Sequence, residues 1–264
     1  MKWALLSLAL VVPAQAEQIA PDRLDSLPGA DVVFLGEVHD HAGHHLNQAR
    51  AITSMKPRAL VFEMLTKAQA SAAPESWTTA EELAEALNWD GSGWPEFAMY
   101  YPIFQAAPDA RIYGAAVPRA QARAVFEQPL TAVFAGDAAR FGLDHPLPAA
   151  EQTARETLQA EAHCNALPAD LLPGMVAVQR LRDAELARVA ELALRQTGGP
   201  VAVITGTGHV RRDWGAPAAL ARAAPEVTHL TLGQYEIAAP DPALTDFWIV
   251  TDAVDRDDPC AAFQ

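Results

Sequence analysis

Two of the eight histidines recur in one pattern. Gly36-Glu37-Val38-His39 and Gly206-Thr207-Gly208-His209 each place an imidazole three residues after a glycine, and each follows an apolar run directly. A third apolar run ends in a carboxylate, Phe62-Glu63-Met64. A carboxylate in that position is costly unless it is paired or acts as a ligand. Imidazole and carboxylate together bind a divalent metal or perform acid-base chemistry. The candidate catalytic groups are therefore Glu37, His39, Glu63 and His209, and the candidate metal ligands are His39, Glu63 and His209. A single Gly-x-x-His is common by chance. The weight lies in two of them, with a glutamate between, at equivalent places in the chain.

The first motif continues into Asp40-His41-Ala42-Gly43-His44-His45, so four histidines fall between positions 39 and 45. A helix starting near Ala42 sets His45 and Gln48 on its first turns and puts His44 or His45 at the mouth of the same site. A solvated histidine cluster is the plain alternative. A second group, Trp89, Trp94, Phe97, Tyr100, Tyr101 and Phe104, has helix-face spacing. Packing into a core is its plainer reading. Its functional reading is an apolar wall for a flat ligand, with a tyrosine hydroxyl as an iron ligand. Arg180 and Arg182 lie on different faces of one helix, where either can meet an anion or simply pair with a neighbouring acid. Arg211-Arg212 forms a local cationic patch beside His209.

These groups need a scaffold that gathers strand ends. Val32 to Leu35, Ala59 to Phe62, Val201 to Thr205, Val227 to Leu232 and Phe247 to Thr251 read as buried strands, and Arg111 to Tyr113 as a weaker one. Near-continuous apolar strands suit a parallel sheet covered on both faces. Helical patterns fill the gaps: His44 to Met55, a short one after Thr79 with a capping box to Glu82, Pro95 to Ala107, Pro118 to Glu127, Ala149 to Asn165 and Pro173 to Gln196. The predicted class is α/β, a mostly parallel central sheet flanked by helices with a smaller helical insertion at roughly 129–197. In such folds the carboxyl edge of the sheet is where ligands bind, and both Gly-x-x-His motifs fall there.

With 33 acidic against 19 basic residues the chain carries a formal charge of −14, which argues against nucleic acid as a partner. Half of the residues are apolar, enough to close a core. Residues 1–16, MKWALLSLALVVPAQA, read as a secretory leader: Lys2, a short apolar run, then Ala14-Gln15-Ala16. Residues 17–264 then form one domain. Export favours pairing of the two cysteines, Cys164 and Cys260. Two buried thiols, or Cys164 as a ligand beside His163, remain the alternatives.

The segments FLGEVHDHAGHHLNQ (34–48), LVFEM (60–64), WPEFAMYYPIFQAA (94–107), HCNALP (163–168), QRLRDAELA (179–187) and ITGTGHVRRDWG (204–215) together resemble the ChaN-like haem-binding uptake family, within the wider Tiki/TraB group related to erythromycin esterases. The ordered set spans nearly the whole chain after the leader. The resemblance implies an α/β core and haem binding linked to iron uptake. It also implies a periplasmic or outer-membrane setting, a homodimer, and a membrane-associated haem transporter as partner. It implies haem as cofactor, tyrosine ligation through Tyr100 in the matching segment, and a binding set of His39, His44, His45, Tyr100, Tyr101, His163 and Arg211. Family members are typically lipoproteins. This leader has no lipidation cysteine, which sets this chain apart from the family in membrane attachment and points to the periplasm. Distant relatives are hydrolases, some metal-dependent, so a metal-dependent esterase or peptidase is the alternative function and a divalent metal the alternative cofactor.

Overall fold

The computed structural model describes residues 16–258, 260 and 261. The expected leader lies outside the described residues apart from Ala16. Seven strands, β1 (Glu17–Gln18), β2 (Val32–Glu37), β3 (Ala59–Phe62), β4 (Arg111–Gly114), β5 (Val201–Gly206), β6 (His229–Glu236) and β7 (Phe247–Thr251), form one sheet in the order β1-β7-β6-β2-β5-β3-β4. Every neighbouring pair is parallel. The expected α/β class is therefore found, with the three strands that carry the chemistry, β2, β5 and β3, side by side at the centre.

Strand alternation divides the core in two, as the two-residue period requires. Val33, Leu35, Leu60, Phe62, Ala202 and Ile204 point to one face. Val32, Phe34, Ala59, Val61, Val201 and Val203 point to the other. The first face is covered by α1 (Ala42–Met55), the short helices α2 (Lys67–Ser71) and α3 (Ala80–Ala86), and α4 (Phe97–Ala106). After β4 come two short helices, α5 (Arg119–Ala124) and α6 (Leu130–Val133). The second face is covered by α8 (Leu172–Thr197) and α9 (Ala216–Ala223). Between α6 and α8, α7 (Ala149–Ala162) packs on α8 rather than on the sheet. Among the described residues no helix is long and apolar enough to cross a membrane.

Local signals explain the boundaries and the departures from expectation. Gly198, at φ 76°, ends α8 by returning its N–H to the Leu194 carbonyl. The capping box expected at Thr79 and Glu82 is half made. The Thr79 side chain accepts from the Glu82 N–H, but the Glu82 carboxylate accepts from Thr78 instead. A complete box occurs at Thr66 and Gln69. The sixth strand starts at His229, two residues later than its apolar run, because the Thr228 N–H and hydroxyl are taken by Asp31. The two-residue β1 has no apolar pattern, and it exists only through its pairing with β7. Cys164 and Cys260 are joined in a disulfide that ties the end of α7 to the C-terminal tail.

Candidate functional site

The carboxyl ends of β2, β5 and β3 bring Glu37, His39, Glu63 and His209 together. The turn after β2 is tight: a Cβ on Gly36 would stand 2.7 Å from Thr207 Oγ1 and 2.9 Å from the Leu232 carbonyl oxygen. Buried glutamines secure that backbone. Gln48 Nε2 donates to the Leu35 carbonyl at 2.9 Å, and Gln234 Nε2 donates to the Gly36 carbonyl at 2.8 Å. Gly206 performs the matching service for β5. A Cβ there would lie 3.0 Å from His39 Nε2, so glycine lets the His39 ring lie over this strand end without shifting.

Two imidazoles each rest a nitrogen on a carboxylate. His39 Nδ1 is 2.8 Å from Glu37 Oε1, and His209 Nδ1 is 2.7 Å from Asp183 Oδ1, reaching down from α8. Glu63 sits between them. Its Oε2 accepts from the Thr205 hydroxyl at 2.6 Å and from the Gly206 N–H at 2.9 Å, and its Oε1 is 3.4 Å from His209 Nε2. Glu37 Oε1 also accepts from the Tyr100 hydroxyl at 2.9 Å. His45 Nδ1 stands 3.3 Å from Glu37 Oε2, close enough to pair electrostatically but off hydrogen-bond geometry, so Oε2 has no hydrogen-bond partner.

The electrostatics follow from burial set against pairing. Burial pushes the Glu37 carboxyl up, but the hydrogen bond from His39 and the nearby imidazoles of His45 and His39 outweigh it and hold it at about 2. Burial acts the same way on Glu63, where His209 and His39 pull harder and keep it well below the usual carboxylate range. For His209 burial disfavours the charge, yet Glu63 and Asp183 lift it to about 10, so it is an imidazolium at neutral pH. Asp183 is raised by burial, which its contact with His209 does not fully offset. His39 is raised too, by Glu37 and Glu63 against the effect of burial.

Exposure separates the predicted residues. The His39 side chain is 32% exposed and packs against Trp94, with ring centroids 4.7 Å apart. His44 and His45 are fully buried. His45 Nε2 bonds the His39 carbonyl. His44 turns away from the cluster, accepting from the Val38 N–H and bonding the Thr251 hydroxyl. Tyr100 is fully buried, and burial together with the Glu37 charge raises its phenol above its ordinary value. In this structure its hydroxyl acts as a donor to Glu37. Phe97 and Phe104 are core residues, Phe104 stacked on Phe62 and Phe97 edge-on to Trp89, so the plainer reading of the aromatic helix holds for that face. Trp94 and Tyr101 stay half-buried. His163 caps the end of α7, bonded to the Gln159 carbonyl. Arg180 serves structure, donating to the Gly142 and His145 carbonyls. Arg211 lies over Trp214 and pairs with Asp213.

Asp183 went unseen among the predicted site residues. Its signal was slight: a single acid in Arg182-Asp183-Ala184 on an interrupted helical pattern, whose burial depends on how α8 crosses the sheet. Among the described residues no group of three or more His, Cys, Asp or Glu side chains is arranged to hold a metal ion. The expected metal set of His39, Glu63 and His209 meets in space, but all of its nitrogens and oxygens except His39 Nε2 are already engaged, by Glu37, Asp183, Thr205, the Gly206 N–H and the contact between Glu63 and His209. What the arrangement offers instead is one open imidazole, His39, with a carboxylate on its Nδ1 and an indole at its side. Such an imidazole can ligate a metal centre brought by a ligand, or take up a proton.

A family model described as haem-binding uptake, Tiki superfamily, ChaN matches residues 23–220. No curated protein matches. Among solved structures, a ChaN of Campylobacter jejuni described with cofacially bound haem is similar at a TM-score of 0.64 and 19% identity, covering 85% of this chain and 87% of that one. At that identity the likeness concerns the fold. The type III effector HopBA1 matches at a TM-score of 0.46 and 11% identity, covering 84% of this chain and 88% of its own. An erythromycin esterase, EreC in its open conformation, matches at 0.43 and 14% identity, covering 82% and 72%.

Proposed function

The chain belongs to the ChaN haem-binding uptake family of the Tiki superfamily, and from that membership we propose that it is an exported protein that binds haem for iron uptake. His39 carries the reading. It is the member of the strand-end cluster whose ring reaches solvent, and Trp94 beside it supplies an apolar surface of the kind a flat ligand needs. Bound haem would bring an iron with axial positions open to an imidazole. Glu37 on Nδ1 orients the His39 ring and makes its other nitrogen a better donor. Tyr101, one residue past the sealed Tyr100 on α4, is half-buried. The leader pattern supports export into the periplasm, and the family supports delivery through a membrane transporter and pairing of two copies.

Haemin titrated into the protein should give a saturable Soret band, and His39→Ala should weaken it at least tenfold. A wild-type protein that forms no saturable complex near stoichiometric haemin would sink the reading. Two carboxylate-backed imidazoles also suit hydrolysis, with His39 as the base that activates water. Turnover of p-nitrophenyl acetate that disappears in His39→Ala would favour that second reading; turnover equal in both proteins would remove it.

A further inference from the structure

Beside His209, α7, α8 and the turn after β5 enclose a cleft of about 230 Å³. Gln159 from α7 and Gln179 from α8 both line it. Gln159 is only 9% exposed. The side-chain oxygen of each glutamine is sealed from solvent and has no hydrogen-bond partner. A sealed, unbonded amide oxygen gains nothing within the protein. The end of each amide left to face the cleft is its NH2 group.

Two guanidinium groups complete the donor set. Arg155 and Arg211 lie 4.9 and 3.7 Å from the Trp214 ring centroid, with side chains 11% and 14% exposed. Glu151 holds Nε and Nη2 of Arg155, and Asp213 holds the same two atoms of Arg211. Among the described residues each arginine keeps Nη1 without a hydrogen-bond partner. The one carboxylate lining the cleft, Asp183, is turned onto His209 at 2.7 Å. Leu158, Ala162 and Val176 form an apolar wall.

We propose that this cleft is a binding site for an alkyl carboxylate, its anion held by the Gln159 and Gln179 amides and the free Nη1 groups, its short stem against the apolar wall. The chemistry fits a free short-chain acid. It fits equally a propionate arm of haem, and only that second source rests on the haem reading above.

The test follows the Gln159 and Gln179 side-chain amide signals of the 15N-labelled full chain, assigned with Gln159→Leu and Gln179→Leu. Sodium propionate should move both signals saturably, while propionamide and inorganic phosphate leave them in place. Gln159→Leu should weaken propionate at least tenfold without lowering Tm, because it removes an unbonded buried oxygen; Arg211→Gln should weaken it likewise. Zinc protoporphyrin that moves the same signals, where its dimethyl ester does not, identifies the porphyrin propionate as occupant. Propionate alone moving them identifies a free acid. The idea is overturned if neither acid moves the signals, or if propionamide, phosphate or the dimethyl ester acts as well as the acids. The Soret titration is read separately, so loss of haem binding and loss of the carboxylate site are distinguishable.

Discussion

Glu37 organises the residues around it. One oxygen serves both His39 and Tyr100, and the other lies beside His45, so three side chains converge on a carboxylate that has left water entirely. This explains why the tyrosine in the most suggestive segment of the sequence stands as a structural donor while the histidine beside it stays open. Tyr100→Phe tests the division of labour. It removes a hydrogen bond to a charged, buried acceptor and should cost about 1.5–3 kcal/mol in urea unfolding. The position of the haemin Soret band should not move. A Soret shift in Tyr100→Phe that matches the one in His39→Ala would return the tyrosine to the role of ligand. Residue types and spacing made Glu37, His39, Glu63 and His209 legible, because an apolar strand ending in a glycine and then an imidazole leaves that imidazole nowhere to go but the sheet edge. The glutamine amides and Asp183 were not legible. Their burial depends on neighbours more than 20 positions away in the chain, as when His209 meets Asp183 across 26 residues.

At the scale of elements, the site depends on two glycines that allow strand ends to approach without side chains between them. Gly36 is the tighter one, with its would-be Cβ meeting Thr207, the Leu232 carbonyl and Val210 all within 3.0 Å. Two of those neighbours are fixed, one being backbone and the other a fully buried valine. Gly36→Ala should therefore push the β2 end away from β6 and destabilise by about 1–3 kcal/mol, the usual range for overpacking. Haemin affinity should fall with it, since His39 rides on that turn. A variant with an unchanged urea midpoint would mean the strand end yields at no cost. The central strands were readable because runs such as Val32 to Leu35 are buried on both faces and show no polar interruption. The helices α7 and α8 were readable as helices but not as a pair enclosing a cleft. With the sheet on one side and α7 on another, α8 buries Leu181, Asp183, Ala184 and Leu186 over a wide arc, which blurs the single apolar stripe that would have revealed its orientation.

Over the whole molecule, the C-terminal segment is strapped across the loop that presents His39. Arg256 pairs with Asp40 of that loop and with Glu236 at the end of β6, and the Cys164–Cys260 disulfide fixes the tail further on. Under the strap, His41 and His44 stack at 3.8 Å with their ring planes almost parallel. The Val38 N–H donates to His44 Nδ1, and His44 Nε2 bonds the Thr251 hydroxyl, so His44 is locked neutral. Burial, then the neighbouring His41, depresses it to about 4. The unfolded chain protonates this imidazole near its ordinary value of 6.5, so between pH 6.5 and about 4 the unfolded state binds more protons and stability falls as the pH falls. The other perturbed groups do not mimic this. His209, raised to about 10, contributes stability that is complete below pH 6.5 and is lost only as the pH rises through 10. Glu37, held at about 2, contributes stability present above pH 4.5 and lost as the pH falls through 2. The urea-unfolding free energy should thus drop on the order of 1–2 kcal/mol from pH 6.5 to 4.5, less than the full shift because that interval stops short of the folded value of about 4. His44→Gln keeps a donor and an acceptor at the strap but no proton to gain, and it should flatten that part of the profile. If the variant keeps the slope, the acid sensitivity belongs to another group and the strap is not held by a neutral histidine.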